Sequence, residues 1–563
     1  MRHGTLVVMN ETIVTIIKKL FDQTVDVEIS RPDPQFGDWS TNVALQLAKP
    51  LGKNPRVIAE ELAGTLRETG EYAAVDVAGP GFINITVSDS ALLAAMRQEP
   101  VKVYDGRAIV FEYSCPNAFK ELHTGHLYQT VFGDIASRLM LVGGAKLQRT
   151  SFGGDVGLHV AKCLWGMRET LGGEYPEKLA TTVEDDAFAR SRWISGCYVR
   201  GAKAYEDDAD VKAEIDELNK TIYGFHAAND HDLPLAQMYW TTRQWSYDYF
   251  DAFYQLIDVE TLRYYPESET AIVGMQVVDE QLAKGNLRES DGAVVFEGDE
   301  SKHLHTRVFV TSKGLPTYET KDIGVIWKEK EDYNFEHRYL LTGNDQKEYM
   351  RVVFAAAETF RPDLAGAMTH LTNGTVKFAD GKKMSSRLGN VTRALDVIDI
   401  VREKVRMLID DESLIEQVTL GAIKYAFARY KLGGDIAFDV EETVSLQGNS
   451  GPYLQYAHAR ARSILEKVTA ELQPLTGIQA EDRALVRKLG EYSDVVTLAI
   501  RHLEPHHICH YLFELAQEFN RYYEKNQVVG SDTEGHRASL VNIYADTLQA
   551  GLTMLGIHAP ERM

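Results

Sequence analysis

The chain has 563 residues, a formal net charge of −22 at pH 7 and 44% hydrophobic residues. This length predicts three or four domains with ample apolar core. The negative charge argues against indiscriminate nucleic-acid binding, which needs clustered Lys and Arg, but it is compatible with a local basic groove and favours a cationic small substrate. The sequence has no run of about 18 apolar residues, so we expect no membrane span. The apolar part of residues 1–9 is too short for a secretory signal.

The small α/β pattern at the start of the chain, residues 1–100, predicts a separate domain. Glu11–Phe21 and Pro55–Glu68 have helical spacing of apolar residues, and Ala74–Ala78 with Ile83–Val87 reads as a hairpin. A polar loop rich in turn-forming residues, 31–42, lies between the helices.

The strongest pattern is a strand, a loop, a helix and a second strand. Ala108–Phe111 and Lys146–Thr150 are apolar strands, and Leu127–Leu141 is a helix with one apolar face. This order is typical of the βαβ unit of a doubly wound parallel sheet. Ligands of such sheets bind at the carboxyl ends of the strands, so we expect the loop between strand and helix to face a ligand.

That loop ends in His123-Thr124-Gly125-His126. Gly125 would let the backbone approach an adenine ring. Two imidazoles at i and i+3 can share one side of a helical turn, and the helix N-terminus attracts phosphate. The alternative is that one histidine caps the helix and the other packs. A second basic segment, 377–390, is a glycine-punctuated loop after a predicted strand, Thr375–Phe378, and alone it could be merely solvated.

Together, the two segments resemble the HIGH and KMSKS signatures of class I aminoacyl-tRNA synthetases. The resemblance narrows to arginyl-tRNA synthetases and covers nearly the whole chain, on Glu112-Tyr113-Ser114-Cys115-Pro116-Asn117, Lys120, Thr317-Tyr318-Glu319-Thr320-Lys321-Asp322, Thr342-Gly343-Asn344-Asp345-Gln346, the segment 449–460 and the terminal Glu561-Arg562-Met563.

The resemblance implies a multidomain α/β protein. Its parts would be a small tRNA-contacting α/β domain (1–100), a doubly wound Rossmann-type catalytic domain (104–395) and an α-helical, anticodon-binding bundle (396–563). A helical insertion, 163–255, would interrupt the catalytic domain. The aromatic residues of this insertion could stack bases, but their helical spacing favours a core role.

The implied activity is that of an arginine–tRNA ligase. ATP, with Mg²⁺, would activate L-arginine to arginyl-adenylate, and the arginyl group would pass to the 3′ end of tRNA(Arg), giving AMP and pyrophosphate. The implied catalytic residues are His123, His126, Lys120 and Lys383. The ATP site would contain His123, Gly125, His126, Lys383, Met384, Ser385 and Ser386.

Arginine needs an anion that matches its planar guanidinium. The resemblance assigns this role to Asp322, with Tyr318 beside it. Glu112, Asn117 and Gln346 would hold the α-amino and carboxylate groups. The tRNA-binding residues would be Tyr453, Tyr456 and Met563. We expect a cytoplasmic monomer that does not bind membranes.

Three departures from the family pattern concern the site. Ser386-Arg387 stands where KMSKS has a second lysine, and Lys120 is expected to replace it, although an exposed loop lysine is the alternative. His159 and Val156 stand where the family usually has glutamine and tryptophan, which changes the shape of the pocket.

Two other functions fit parts of the sequence. One is a class I synthetase for another amino acid, such as cysteine, but the chain lacks the corresponding zinc ligands and has the Tyr318–Asp322 spacing. The other is a non-catalytic RNA-binding relative, which the intact His123, His126 and Lys383 disfavour.

The cysteines and histidines do not predict a metal site. Four cysteines are scattered without a C-x-x-C spacing, which excludes a zinc ribbon and indicates a reducing compartment. The histidine-rich segment 502–510 contains i,i+4 pairs that can bind zinc, but Pro505 interrupts the helix before the second pair. We therefore expect no bound metal.

Overall fold

The computed structural model describes residues 5–378 and 393–563, which form two compact units. The terminal unit consists of Met1–Val103, Leu446–Met554 and His558–Met563. The central unit consists of Tyr104–Ser445 and Leu555–Ile557. None of the helices described is both long and apolar enough to cross a membrane.

The first part of the terminal unit is the predicted small α/β fold. Its helices are α1 (Thr5–Phe21), α2 (Val43–Leu51), α3 (Pro55–Glu68) and α4 (Asp89–Met96). Its antiparallel sheet has the order β1-β2-β4-β3, with strands β1 (Ile29–Ser30), β2 (Trp39–Thr41), β3 (Tyr72–Ala78) and β4 (Phe82–Val87). The predicted hairpin is confirmed as β3 and β4.

The central unit contains ten strands and twelve helices among its described residues. The strands are β5 (Ala108–Glu112), β6 (Lys146–Gly153), β7 (Arg263–Pro266), β8 (Arg288–Ser290), β9 (Ala293–Phe296), β10 (Arg307–Val310), β11 (His337–Gly343), β12 (Met368–Asn373), β13 (Val376–Phe378) and β14 (Ile436–Phe438). The helices are α5 (Thr124–Val142), α6 (Leu158–Leu171), α7 (Leu179–Thr182), α8 (Ala187–Asp207), α9 (Ala209–Ala228), α10 (Pro234–Leu256), α11 (Glu267–Lys284), α12 (Tyr318–Tyr333), α13 (Lys347–Phe360), α14 (Ala394–Arg406), α15 (Glu412–Ala428) and α16 (Val440–Thr443).

Five strands form the parallel sheet that positions the site, in the order β12-β11-β5-β6-β7. The predicted βαβ unit is confirmed as β5, α5 and β6, with Glu112 opposite Thr150. Strand β6 extends beyond the predicted end to Gly153 because its last residues pair with β7, which lies far along the chain. The insertion is helical, and its aromatic residues Tyr239, Trp245 and Phe253 are buried as predicted.

The central unit continues to Ser445, whereas the sequence analysis began the C-terminal domain at residue 396. Helices α14 and α15 both pack on α5. The Phe427 ring of α15 lies 5.2 Å from the Tyr128 ring of α5. Helix α15 is buried over most of its length, so it belongs to the core around α5.

The rest of the terminal unit is the predicted helical bundle, made of α17 (Gly451–Leu465), α18 (Arg483–Leu489), α19 (Tyr492–His502), α20 (His506–Lys525) and α21 (Glu534–Met554). The segment 482–503 contains two of these helices, because α18 ends before Gly490 and α19 begins after Glu491. The bundle packs on the small α/β fold through Arg483, which pairs with Asp38 at 2.8 Å, and through Arg97, whose guanidinium donates to the Leu475 carbonyl at 2.7 Å.

Two glycines allow α11 and α12 to approach closely. A Cβ atom on Gly324 would collide with the Thr270 carbonyl of α11, and one on Gly274 would collide with the Thr320 carbonyl of α12. This approach matters for the site because α12 begins at Tyr318 and α11 begins at Glu267.

We predict that Gly324→Ala lowers the free energy of unfolding by about 1–3 kcal/mol, the usual cost of overpacking. The added methyl group must push α12 away from α11. The measurement is the denaturant midpoint of the purified protein. Gly224→Ala, in the interior of α9 with nothing within 4 Å, is the control. It should raise stability by up to about 1 kcal/mol through helix propensity, and an equal loss in both variants would contradict the packing argument.

Candidate active site

The loop between β5 and α5 is held in an unusual backbone conformation at the carboxyl edge of the sheet. Ser114, Cys115 and Phe119 have φ values of 69°, 47° and 67°, in the left-handed region that costs L-residues energy. Helix α10 fixes the loop, because Ser246 Oγ accepts from the Phe119 N–H at 3.0 Å and the Tyr249 hydroxyl accepts from the Leu122 N–H at 3.2 Å. These hydrogen bonds from the helical insertion thus hold the loop in place.

His123 and His126 form a reciprocal cap at the start of α5. The Gly125 N–H donates to His123 Nδ1 at 3.0 Å, and the His123 N–H donates to His126 Nδ1 at 3.2 Å. The two rings lie 3.8 Å apart. Since both Nδ1 atoms accept, each neutral ring carries its proton on Nε2, where it can donate to a ligand. Both histidines therefore cap the helix, and the Nε2–H group of each ring remains as a donor.

The surroundings of both imidazoles favour the neutral form. Burial, reinforced by the positive charge of Lys120, lowers the pKa of His123. Burial lowers the pKa of His126 further, and His123 and Lys120 add to this shift. Gly125 makes room for the pair, since an added Cβ would lie 2.8 Å from His123 Cε1.

A cleft of about 480 Å³ lies in the central unit and contains several predicted residues. Asn117, Lys120 and Tyr318 line it, together with His159 and Val156, the two departures from the family pattern. The Asn117 side-chain oxygen accepts from the Gly154 N–H at 2.8 Å. The Lys120 ammonium lies 4.6 Å from the centre of the Tyr198 ring. Tyr318 is 68% exposed, so its ring is available to a ligand.

A buried ion pair forms part of the same cleft. Lys321 Nζ lies 2.7 Å from Glu267 Oε2, and both side chains are less than 10% exposed. Burial raises the pKa of Glu267, and Lys321 opposes this shift. The sequence analysis did not assign a role to either residue. Glu267 directly follows strand β7, so the rule that ligands bind at strand ends could have found it.

Glu112 faces the protein interior rather than solvent. It is 2% exposed, and Arg338 of β11 donates to it. Arg338 Nε also pairs with Glu329 Oε2 at 2.6 Å, and the Thr150 hydroxyl donates to Glu329 Oε1 at 2.5 Å. Burial raises the pKa of Glu112, and the Arg338 guanidinium opposes this rise. The role of Glu112 toward the substrate α-amino group stays a prediction.

Asp322 lies in a hydrogen-bonded, largely enclosed position, whereas Gln346 is exposed. The Tyr349 hydroxyl donates to Asp322 Oδ2, and burial raises the pKa of Asp322 to about 7, against the effects of Tyr349 and Arg338. Gln346 is exposed in the turn after β11 and donates to Asp345 Oδ2 at 2.9 Å.

Lys383, Met384, Ser385 and Ser386 lie outside the described residues. The first described residue after this segment, Arg393, forms an antiparallel bridge with His123. The next N–H, of Ala394, donates to the Leu122 carbonyl at 2.9 Å. Arg393 also lies 3.6 Å from the Glu121 carboxylate. The chain that follows the second signature thus adjoins the first.

The predicted tRNA-binding residues all lie in the terminal unit. Tyr453 is half-buried, and Asn520 donates to its hydroxyl at 3.1 Å. Tyr456 is 43% exposed on the same helix, and Met563 is partly exposed.

The histidine-rich segment brings three donor groups together. Ligand atoms of Glu504, His506 and His507 lie within 4.8 Å of one another. The His507 ring is also 2.9 Å from the Glu504 carboxylate, which is a sufficient reason for their proximity. The expectation that this segment binds no metal stays a prediction.

Three family models match successive parts of the chain. They are the arginyl tRNA synthetase N terminal domain over residues 8–87, the catalytic domain of tRNA synthetases class I (R) over 88–439 and the DALR anticodon binding domain over 454–563. The catalytic model alone spans more than half of the chain. The chain belongs to the arginyl-tRNA synthetase family. Membership of this class I family implies ATP as a substrate and tRNA as the partner of the anticodon-binding domain.

Curated relatives and solved structures agree with this arginyl-tRNA synthetase assignment. The chain is 31% identical to an arginine–tRNA ligase of Frankia casuarinae, over 95% of this chain and 94% of that protein. It is 28% identical to the corresponding ligase of Flavobacterium psychrophilum, over 99% of both. The fold matches that of Thermus thermophilus arginyl-tRNA synthetase, with a TM-score of 0.80 and 23% identity over 99% of this chain and 100% of that one. The predicted fold class is thereby confirmed.

We predict that both signature histidines are neutral Nε2–H tautomers at pH 7, because their Nδ1 atoms accept backbone hydrogen bonds and burial lowers their pKa values. Their folded pKa values lie below the unfolded value of about 6.5. Their contribution to stability is therefore fully present above that pH and is lost as the pH falls through the folded values. Two-bond ¹H–¹⁵N NMR on histidine-labelled protein measures both properties, with His126→Gln to assign one ring. An Nδ1–H signal from either ring would contradict the geometry.

Proposed function

We propose that this chain is an arginine–tRNA ligase whose reaction takes place in the cleft and at the start of α5. The carboxylate of L-arginine attacks the α-phosphorus of ATP, the bond to the β-phosphate breaks, and pyrophosphate leaves. The terminal ribose hydroxyl of tRNA(Arg) then attacks the arginyl carbonyl, and AMP leaves. The observation that carries the proposal is the placement of Asn117 and Tyr318 in one cleft, with His123 and His126 at the start of α5, in a chain that three family models cover in order.

The two histidines are proposed to bind the ATP phosphates. Neutral imidazoles with Nε2–H groups donate hydrogen bonds without competing for protons, and the N-terminus of α5 adds a positive partial charge. Gly125, Lys383, Met384, Ser385 and Ser386 complete the proposed ATP site. Transfer at phosphorus needs positioning and charge neutralisation more than covalent help.

Lys120 is proposed to supply the charge that the second KMSKS lysine supplies elsewhere in class I. It lines the cleft three residues before His123, and its ammonium is stacked on Tyr198. A cation–π contact of this kind holds the lysine near the site at a small cost of displacement. Mg²⁺ is proposed to enter as part of the substrate complex with ATP, since the described groups at the start of α5 are imidazoles and a lysine rather than the oxygen ligands that Mg²⁺ prefers.

The arginine side chain is proposed to pair with Asp322, beside Tyr318. The pKa of the Asp322 carboxyl is about 7, so its protonation can change when the substrate binds. An arriving guanidinium lowers that pKa and fixes the charged form. Glu267 is a buried carboxylate in the same cleft as Tyr318, and Lys321 neutralises it. Asn117, Gln346 and Glu112 are proposed to hold the α-amino and carboxylate groups.

The helical bundle is proposed to bind the anticodon region of tRNA(Arg) through Tyr453, Tyr456 and Met563. Exposed aromatic rings stack on unpaired bases, which is the usual way of reading single-stranded RNA. We further propose that the enzyme acts as a monomer in the cytoplasm, where tRNA charging supplies translation.

Aminoacylation of total tRNA with each amino acid in turn tests the function. We expect charging with arginine alone, and we expect arginine-dependent pyrophosphate exchange only when tRNA is present. The control is the His123→Ala variant, which should bind tRNA but lose charging. Charging with another amino acid would assign a different class I specificity, and tRNA binding without any charging would indicate a non-catalytic RNA-binding protein.

We predict that Asp322→Asn folds normally but loses arginine affinity by up to about ten thousandfold, because a site built around a charge discriminates strongly once that charge is gone. The same argument predicts that wild-type affinity weakens as the pH falls through about 7, where Asp322 gains a proton. Calorimetry with tRNA present measures both effects.

Two further variants show whether a loss of arginine affinity in Asp322→Asn is specific to Asp322. Glu319→Gln, one turn earlier on α12, removes a charge that pairs with Arg307 and raises the pKa of Asp322, but it removes no group of the proposed arginine site. It should leave arginine affinity nearly unchanged. Glu267→Gln tests the other carboxylate. If Glu267→Gln abolishes binding while Asp322→Asn stays within a few-fold of wild type, the guanidinium partner is Glu267 and the assignment of Asp322 is wrong.

A further inference from the structure

A buried polar cluster, here called the Lys424 latch, holds three residues near the end of the chain inside the central unit. The latch consists of Asp134 and Arg138 on α5, Asp258 after α10, Lys424 on α15 and Gly556. The Lys424 ammonium donates to the Gly556 carbonyl at 2.8 Å and to the Asp258 carbonyl at 3.1 Å, and it lies 3.8 Å from the Asp258 carboxylate. Arg138 Nε donates to Asp134 Oδ2 at 2.7 Å.

Gly556 is fitted to this cluster by its backbone. Its φ is +66°, in the left-handed region that glycine adopts without cost. An added Cβ would lie 3.2 Å from Arg138 Nε and 3.3 Å from both Asp134 Oδ2 and Lys424 Nζ. The flanking Leu555 and Ile557 are buried at 0% and 2% exposure. Close packing and hydrogen bonding therefore both hold Leu555–Ile557 in this position.

Stability alone is a poor explanation for the lysine. Lys424 is 1% exposed, and burial lowers its pKa to about 8, with Arg138 adding to the shift and Asp134 and Asp258 opposing it. Burying an ammonium is expensive, and well-packed apolar residues in place of a whole buried ion pair are often equally stable or more so. A group that is costly to bury and precisely paired is a candidate for a role in function.

The course of helix α5 indicates that role. Helix α5, which carries Asp134 and Arg138, begins at His123 and His126. The distance along α5 from His126 to Asp134 is about 12 Å, at about 1.5 Å per residue of a rigid helix.

We propose that Lys424 is a positioning residue for aminoacylation. By fixing Leu555–Ile557 on α5, it holds the helix whose first turn carries the two signature histidines. This inference rests on the proposed function. Lys424 touches no reacting atom, and its effect reaches the reaction only through α5.

The test compares Lys424→Met with wild type in three measurements. We expect the aminoacylation kcat to fall by about ten- to a hundredfold, since a small misplacement of the reacting groups has that effect, while the tRNA dissociation constant stays within about threefold. The melting temperature should fall, because the Gly556 and Asp258 carbonyl groups lose their donor. A purely structural lysine would lower the melting temperature in the same way but leave kcat per folded molecule unchanged.

A second variant reaches the latch from the other side. Gly556→Ala should lower kcat as Lys424→Met does, and the double variant should be no worse than either single one, because both break the same connection. Gly285→Ala is the matched control: its φ is +79°, it lies at the end of α11, and nothing is within 4 Å of the added methyl group. It shares the backbone cost but not the contact, so its kcat should equal that of wild type.

Each other outcome overturns the latch. Both latch variants with kcat within twofold of wild type, an equal loss in Gly285→Ala, or a loss explained entirely by weaker tRNA binding would do so. The wild-type protein is assayed first, with purified tRNA(Arg) and arginine. No charging by wild type would overturn the proposed function, whereas normal wild-type charging with unaffected variants would overturn only the latch.

Discussion

The central unit depends on one buried guanidinium. Arg338 of β11 is 1% exposed and joins Glu112, at the end of β5, to Glu329 of α12, which in turn accepts from Thr150 of β6. Three neighbouring strands and one helix are thereby tied together next to the end of β5. Removing one partner of such a group costs about 3–5 kcal/mol, since the remaining charges stay buried. The loop that leads to His123 starts directly after Glu112, so the ion pair fixes the start of the segment that contains the left-handed residues Ser114, Cys115 and Phe119.

The charges around this edge explain how an acidic protein can suit both a cation and a polyanion. Among the described residues at the proposed amino-acid end, the carboxylates Glu112, Glu267, Glu329 and Asp322 outnumber the cations Arg338 and Lys321. The α5 end carries imidazole N–H groups and a lysine instead. In the proposed reaction, arginine completes the charge balance at one end and ATP completes it at the other.

Sequence reasoning found what local patterns encode. The βαβ unit was predictable from apolar strands around an amphipathic helix, and His123 and His126 from their place at a helix start. It could not find the ion pairs of Lys321 with Glu267 and of Arg338 with Glu112, because the partners lie 54 and 226 residues apart along the chain. It ended β6 early because the partner strand β7 comes from beyond the insertion. The tautomers of the two histidines likewise depend on backbone geometry that residue types do not specify.

The terminal unit is assembled from the two ends of the chain, and this order affects how the protein is made. Arg483 reaches back to Asp38, and Arg97 reaches forward to Leu475, so the small α/β fold and the bundle share one compact body. During synthesis at about 5–20 residues per second, the ribosome spends roughly 20–70 s on the central unit before the bundle emerges. For that time the surface of the small fold that will meet the bundle is uncovered. Chaperone dependence and fragment toxicity should therefore concentrate in chains stalled within the central unit, after the first hundred residues and before the last hundred.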